Sequence, residues 1–162
     1  MPGNEVRAFV GVGANLGDAA SAVRDALRAL GRIDGCRLGR CSSLYRSAPW
    51  QAQGPDFINA VAELHTTLLA EPLLHRLQSI ETAGGRVRSV RNSPRTLDLD
   101  LLLYGELVQN RAALTLPHPR LHQRAFVLRP LAEIDPGLVL PGLGPIGPWL
   151  DQAAAQRIER IG

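Results

Sequence analysis

The run Leu97-Asp98-Leu99-Asp100-Leu101-Leu102-Leu103-Tyr104, closed by Gly105, constrains this chain more than any other segment. Alternation of leucine and aspartate is a strand period, because successive side chains of an extended chain point to opposite faces. The odd-numbered leucines then share one face and belong in a core, while Asp98 and Asp100 share the other. Two carboxylates that close repel each other unless a cation lies between them. The pair is therefore either a metal site or a solvated sheet face that discourages edge pairing. Hard oxygen donors suit Mg²⁺, which usually takes one or two carboxylates and completes its shell with phosphates and water.

The elements around this strand follow from their periods. Ala8 to Gly13 reads as a short buried strand ending in the turn Ala14-Asn15-Leu16-Gly17-Asp18. From Ala19 to Leu30 the apolar residues recur at helical spacing, and Gly31 stops them. Cys36 to Arg46 reads as a second strand, weaker in the middle, and Phe57 to Leu68 as a third, with Ile58, Ala60, Ala62 and Leu64 on one face. Glu71 to Thr82 is an amphipathic helix that Gly84-Gly85 should end. Past Tyr104 the chain is rich in proline, with short helices expected near 120–124, 128–134 and 146–155. The order βαββαβ predicts an α+β, ferredoxin-like sandwich: an antiparallel sheet under two helices, with a helical, loop-rich C-terminal part. At 162 residues and 45% hydrophobic content, a single domain spanning 1–162 with a substantial core is expected.

Charge narrows the chemistry. All 18 basic residues are arginine, which excludes a lysine Schiff base and a phosphate loop built on Gly-Lys-Ser/Thr. Arg86, Arg88, Arg91 and Arg95 fall in a stretch without an acid, whereas the whole chain carries only +3. The excess charge is thus local, and one anion-binding loop explains it more economically than general nucleic-acid affinity. No apolar run approaches the roughly 20 residues needed to cross a bilayer. Met1-Pro2-Gly3-Asn4-Glu5 lacks the basic and apolar regions of a secretory signal, and Cys36 and Cys41 form no metal-ligand spacing. A cytoplasmic protein is expected.

Two further segments carry polar chemistry. In Pro117-His118-Pro119 the flanking prolines fix the backbone of His118, which with Arg124 either donates to phosphate or lies in a rigid surface turn. The loop Arg46-Ser47-Ala48-Pro49-Trp50 and the strand Phe57-Ile58-Asn59 offer aromatic faces beside hydroxyl and amide groups. A flat heterocycle is held by such a set, although Trp50 could equally cover the core. A metal-binding acid pair beside an arginine-rich, glycine-flanked loop suits a polyphosphate. His65 and His75 read as structural or solvent-facing. Two other readings stay open: another Mg²⁺-dependent nucleotidyl or phosphoryl transferase on a similar sheet, and a small RNA-binding module.

Pro94-Arg95-Thr96-Leu97-Asp98-Leu99-Asp100-Leu101-Leu102 resembles the signature of the 6-hydroxymethyl-7,8-dihydropterin pyrophosphokinases. Val10 to Gly17, Ser43 to Ser47, Asp56 to Ala60, Leu116 to Pro119 and Leu128 to Ile134 are similar to other parts of that family. The resemblance implies a ferredoxin-like core and transfer of pyrophosphate from ATP to the pterin hydroxymethyl oxygen, with release of AMP, in folate synthesis. It implies that Asp98 and Asp100 hold two Mg²⁺ ions, and that Arg88 and Arg95 act with them in catalysis. Arg88, Arg91, Arg95, His118 and Arg124 would contact the phosphates, with Gln78, Glu81, Leu101 and Thr115 on the nucleotide side. Ser47, Ala48, Trp50, Phe57, Asn59 and Phe126 would surround the pterin, Asn59 reading its edge and the two phenylalanines sandwiching the ring. The chain departs from the family pattern at Asn92, Ser89 and Ala113. ATP and the pterin are the expected partners, with no nucleic acid or membrane, and the expected state is a monomer.

Overall fold

The computed structural model describes residues 5–48, 54–86 and 97–162. Strand β1 (Val6–Ala14) leads into α1 (Ala19–Leu30), followed by β2 (Cys36–Cys41), β3 (Tyr45–Ser47) and β4 (Phe57–Thr66). Helix α2 (Ala70–Arg86) and strand β5 (Asp98–Tyr104) complete the expected core. The C-terminal part adds a hairpin β6 (Gln109–Asn110) and β7 (Thr115–Leu116), then α3 (Ala125–Ile134). A second hairpin, β8 (Val139–Leu140) and β9 (Gly144–Pro145), precedes α4 (Ile146–Gln152) and β10 (Ile158–Arg160).

The main sheet runs β10-β3-β4-β1-β5, with β2 also paired to β4, and its pairings are antiparallel. Helix α1 starts where the Asp18 side chain accepts the Ser21 N–H at 3.2 Å, satisfying a donor that the first helical turn leaves unpaired. It buries Val23, Ala26 and Leu30. These pack with Leu73 and Leu77 of α2 against Val10, Val12, Leu64 and Leu99, the first of two apolar cores.

Three expectations need correction. The second strand, expected to be weak in its middle, is broken there into two. At 42–44 the chain leaves the ladder, and the Ser42 hydroxyl accepts the Val61 N–H at 2.9 Å in place of a backbone carbonyl. Helix α2 runs through Gly84 and Gly85 to Arg86. Glycine lowers helix stability by about 1 kcal/mol without forbidding the helical backbone. The third correction concerns the leucines. Phe9 pairs with Leu103 but Val10 with Leu101, so β5 carries one extra residue there. A bulge of this kind shifts the alternation. Leu97, Leu99 and Leu101 face α1 and α2, while Leu102 and Leu103 join the opposite core.

That opposite core is what the proline-rich segment builds. Phe9, Val61, Leu102 and Leu103 are covered by Leu121, Leu128, Leu131, Leu140 and Ile146. Part of the second sheet face is therefore closed by α3 and α4. At the seam, Glu63 of β4 is 7% exposed, and its carboxylate accepts from Arg7 Nε at 2.5 Å and the Arg40 N–H at 3.1 Å. Gly39 is required beside it, because a Cβ there would lie 2.5 Å from Glu63 Oε1. Burial pushes the Glu63 carboxyl up, but the Arg40 N–H and the Arg7 guanidinium outweigh it and hold it below the usual 4.5. A carboxyl with a depressed folded pKa stabilises the protein above its unfolded value, and that contribution disappears as pH falls through the folded value. Glu63→Gln is thus expected to cost about 1–3 kcal/mol at neutral pH. In denaturant titrations against pH the two proteins should converge in the acid range below 4.5. A constant gap down to full protonation would refute this account.

Candidate active site

Where α3 and α4 do not reach, the second sheet face stays open and floors a cavity of about 410 Å³. The register explains its floor. Gly11 pairs with Asp100 and Val61, and Gly13 with Asp98 and Asn59, so all of these share one face. Two glycines in a strand leave a trough there, as expected where something else approaches the backbone. A Cβ on Gly13 would lie 3.1 Å from Asn59 Oδ1. Ser47 pairs with Phe57 at the end of β3 and β4, bringing both into the same wall. The roof is the segment around the 3₁₀ turn Leu121–Gln123, with Arg120 before the turn and Arg124, Phe126 and Val127 after it.

The cavity has two chemically distinct parts. Phe57 and Phe126 supply aromatic faces, and Asn59, 5% exposed, donates from Nδ2 to Ser47 Oγ at 2.8 Å. Asp98 and Asp100 face the arginines elsewhere in the same cavity. Asp100 accepts no hydrogen bond among the described residues, and the buried Arg124 Nε finds no acceptor there either. An unsatisfied buried donor of this kind is costly and calls for a partner. The Arg124 guanidinium lies 5.4 Å from the centre of the Phe126 ring, which joins the two parts.

His118 does not itself line the cavity, but it interacts electrostatically with Asp100, Arg120 and Arg124, which do. Its backbone N–H donates to Leu102 O at 3.0 Å, and its Nδ1 accepts the Arg120 N–H at 3.2 Å. Burial lowers its pKa below 6.5; Asp100 opposes that shift, while Arg124 and Arg120 add to it. The shift favours the neutral imidazole. Burial likewise lowers the pKa of Arg124, against the attraction of Asp100.

A hydrogen-bonded clamp holds the roof to the floor. Glu133 of α3 accepts from the Ser43 N–H at 2.9 Å, the Ser43 hydroxyl at 2.8 Å and the Tyr45 hydroxyl at 2.7 Å. Burial and the Glu133 carboxylate push the Tyr45 phenol up to about 12, so it remains a donor. The clamp ties the helix that carries Phe126 to the strand that carries Ser47.

The residues expected from sequence divide into three groups. Ser47, Ala48, Phe57, Asn59, Asp98, Asp100, Arg124 and Phe126 line the cavity. Gln78, Glu81, Leu101, Thr115 and His118 do not; the first four lie in or near β5, the edge strand. Gln78 is exposed on α2, and Glu81 accepts the Leu99 N–H at 2.7 Å, stapling that helix to the strand. The Leu101 side chain is buried in the first core, so only its backbone is left to meet a ligand. Thr115 Oγ1 donates within its own hairpin, to Arg111 O at 3.2 Å. Trp50, Arg88, Arg91 and Arg95, with Ser89 and Asn92, lie outside the described residues. Sequence reasoning passed over Gly11, Gly13 and Arg120. The Gly-x-Gly within a strand was the available signal for the first two.

Residues 9–136 match the family described as 7,8-dihydro-6-hydroxymethylpterin-pyrophosphokinase. The 2-amino-4-hydroxy-6-hydroxymethyldihydropteridine pyrophosphokinase of Haemophilus influenzae is 41% identical over 158 residues, covering 96% of this chain and 98% of the relative. The enzyme of the same name from Pseudomonas aeruginosa is 42% identical over 156 residues, covering 96% of each. In three dimensions the chain is similar to an HPPK-DHPS crystal structure in complex with substrates, at a TM-score of 0.75 and 10% identity. That likeness covers 92% of this chain and 43% of the other, so this chain spans under half of that protein. It shows the fold, antiparallel sheet with helices, and the family follows from the sequence match. The chain belongs to the 7,8-dihydro-6-hydroxymethylpterin-pyrophosphokinase family.

Proposed function

We propose that the cavity under Arg120 and Arg124 is where this pyrophosphokinase joins its two substrates. The enzyme transfers pyrophosphate from ATP to the hydroxymethyl group of 6-hydroxymethyl-7,8-dihydropterin, a step of folate biosynthesis. The observation that carries the placement is one cavity holding an aromatic pair with a buried amide and, beside them, two carboxylates under two arginines. The pterin ring lies between Phe57 and Phe126, with Asn59 and Ser47 reading its polar edge and Ala48 and Trp50 at its rim. The transferred group lies over Asp98 and Asp100, with Arg124 and His118 against it. Arg88, Arg91 and Arg95 close on the polyphosphate from the adjoining loop, and Gln78, Glu81, Leu101 and Thr115 flank the nucleotide along β5.

The acid pair fits Mg²⁺ by its chemistry. Mg²⁺ usually takes one or two carboxylates and completes its shell with phosphate and water. Two Mg²⁺ ions held by Asp98 and Asp100 would neutralise charge developing on the transferred phosphates. The chain's own part is to orient and to exclude water. Ser47 and Asn59 fix the ring so that its hydroxymethyl oxygen points toward the acid pair. Neutral His118 donates a hydrogen bond without adding another charge to crowd Arg124. Among the described residues none of the cavity side chains is placed as an obvious general base, so positioning and electrostatics carry the step. The enzyme works as one domain and as a monomer in the cytoplasm, where Cys36 and Cys41 stay as the free thiols seen here.

Nucleotide products tested with MgATP decide this reading. AMP is expected only when the pterin is present, in equal amount to pterin diphosphate. ADP as the product, or AMP formed without the pterin, would refute pyrophosphoryl transfer to it.

A further inference from the structure

Among the described residues, Arg120 is one of two arginines that line the cavity. Arg7, Arg28, Arg37, Arg46, Arg111 and Arg160 each reach a carboxylate. Arg120 has no ion pair and no side-chain hydrogen bond among the described residues, although it lines the same cavity as Asp98 and Asp100. Its charge also acts unfavourably on both His118 and Arg124. Cations that repel one another around a cavity are accommodated by an anion with more than one charge.

The order of the groups indicates which part of that anion Arg120 meets. Arg124 is partly buried and lies over the Phe126 ring, beside the aromatic part. Arg120, on the same lining, is exposed. A pterin carrying a diphosphate extends from ring to inner phosphate to outer phosphate, so its last charge falls to the more exposed of the two cations. We propose that Arg120 binds the outer phosphate of the transferred group, so that it distinguishes the pterin diphosphate from the pterin alcohol. This role rests on the pyrophosphokinase reading above. As an exposed side chain whose backbone makes its contacts through N–H and C=O, Arg120 can be changed without disturbing the turn.

The test is equilibrium titration of the full-length chain with 6-hydroxymethyl-7,8-dihydropterin and with its diphosphate, both in the presence of Mg²⁺. Arg120→Ala is expected to weaken diphosphate binding about tenfold, the scale of one charge-assisted hydrogen bond, and to leave alcohol binding within about twofold. Arg120→Lys should recover part of the loss, because it keeps the charge but not the planar fork. Equal weakening of both ligands would mean a structural role and overturn the proposal, as would no change for either. Wild-type protein that binds neither compound would instead overturn the pterin reading itself, a result separable from the behaviour of the variants.

Discussion

Asp100→Ala is expected to lower kcat by at least about 10³-fold while leaving the protein folded, because such electrostatic groups dominate phosphoryl transfer. The structural cost is small. Asp100 is only partly buried and accepts no hydrogen bond among the described residues. Its neighbours directly across β1 include Gly11, which offers no side chain to lose contact with. Removing one of two carboxylates on the same face also relieves their mutual repulsion. The functional cost is large, since Asp100 provides the negative charge that opposes the arginines and imidazole of the roof. Asp100→Asn keeps the shape and should fall nearly as far. The measurement pairs steady-state AMP formation with thermal unfolding. A kcat within about tenfold of wild type in a folded variant would remove the acid pair from the mechanism.

Asn59→Ala should raise the Kd for the pterin by about 10²-fold. A site built to hydrogen-bond a polar edge rejects strongly when that group is lost, since the buried partners are then left unpaired. Asn59 is buried, bonded to Ser47 Oγ, and given room by the missing side chain of Gly13. Ser47→Ala should weaken binding less, about fivefold, because it loosens the orientation of Asn59 without removing the amide. Titration by ligand fluorescence checks both. An Asn59→Ala variant that binds the pterin within about threefold of wild type would place the ring elsewhere in the cavity.

The parts of this architecture that depend on neighbours in sequence were legible before any coordinates. Helix α1 occupies the residues that its apolar spacing and Gly31 predicted. The acid pair occupies one face of β5, as the alternation required. Other parts escaped because their cause lies across the sheet. Ile158–Arg160 pairs with β3 as a three-residue strand, too short for a periodic signal. The break between β2 and β3 depends on the Ser42 hydroxyl meeting the N–H of Val61, nineteen residues away.

The line between the two is physical. Periodicity, turn chemistry and the run of charges belong to the chain itself, and by themselves they settled the order of the core elements and the α+β class. Register belongs to the folded sheet. The single extra residue at Leu102 moves Leu103 to the opposite core, a decision made by packing on two faces rather than by leucine's own preference. The pairing of Gly11 with Asp100 and Gly13 with Asp98 clears the floor of the cavity, and α3, clamped through Glu133, sets its roof. No local pattern marks Arg120 apart from the other arginines. Only the tertiary structure leaves it lining a cavity with no ion pair of its own among the described residues, because charge balance is struck in space and not along the chain.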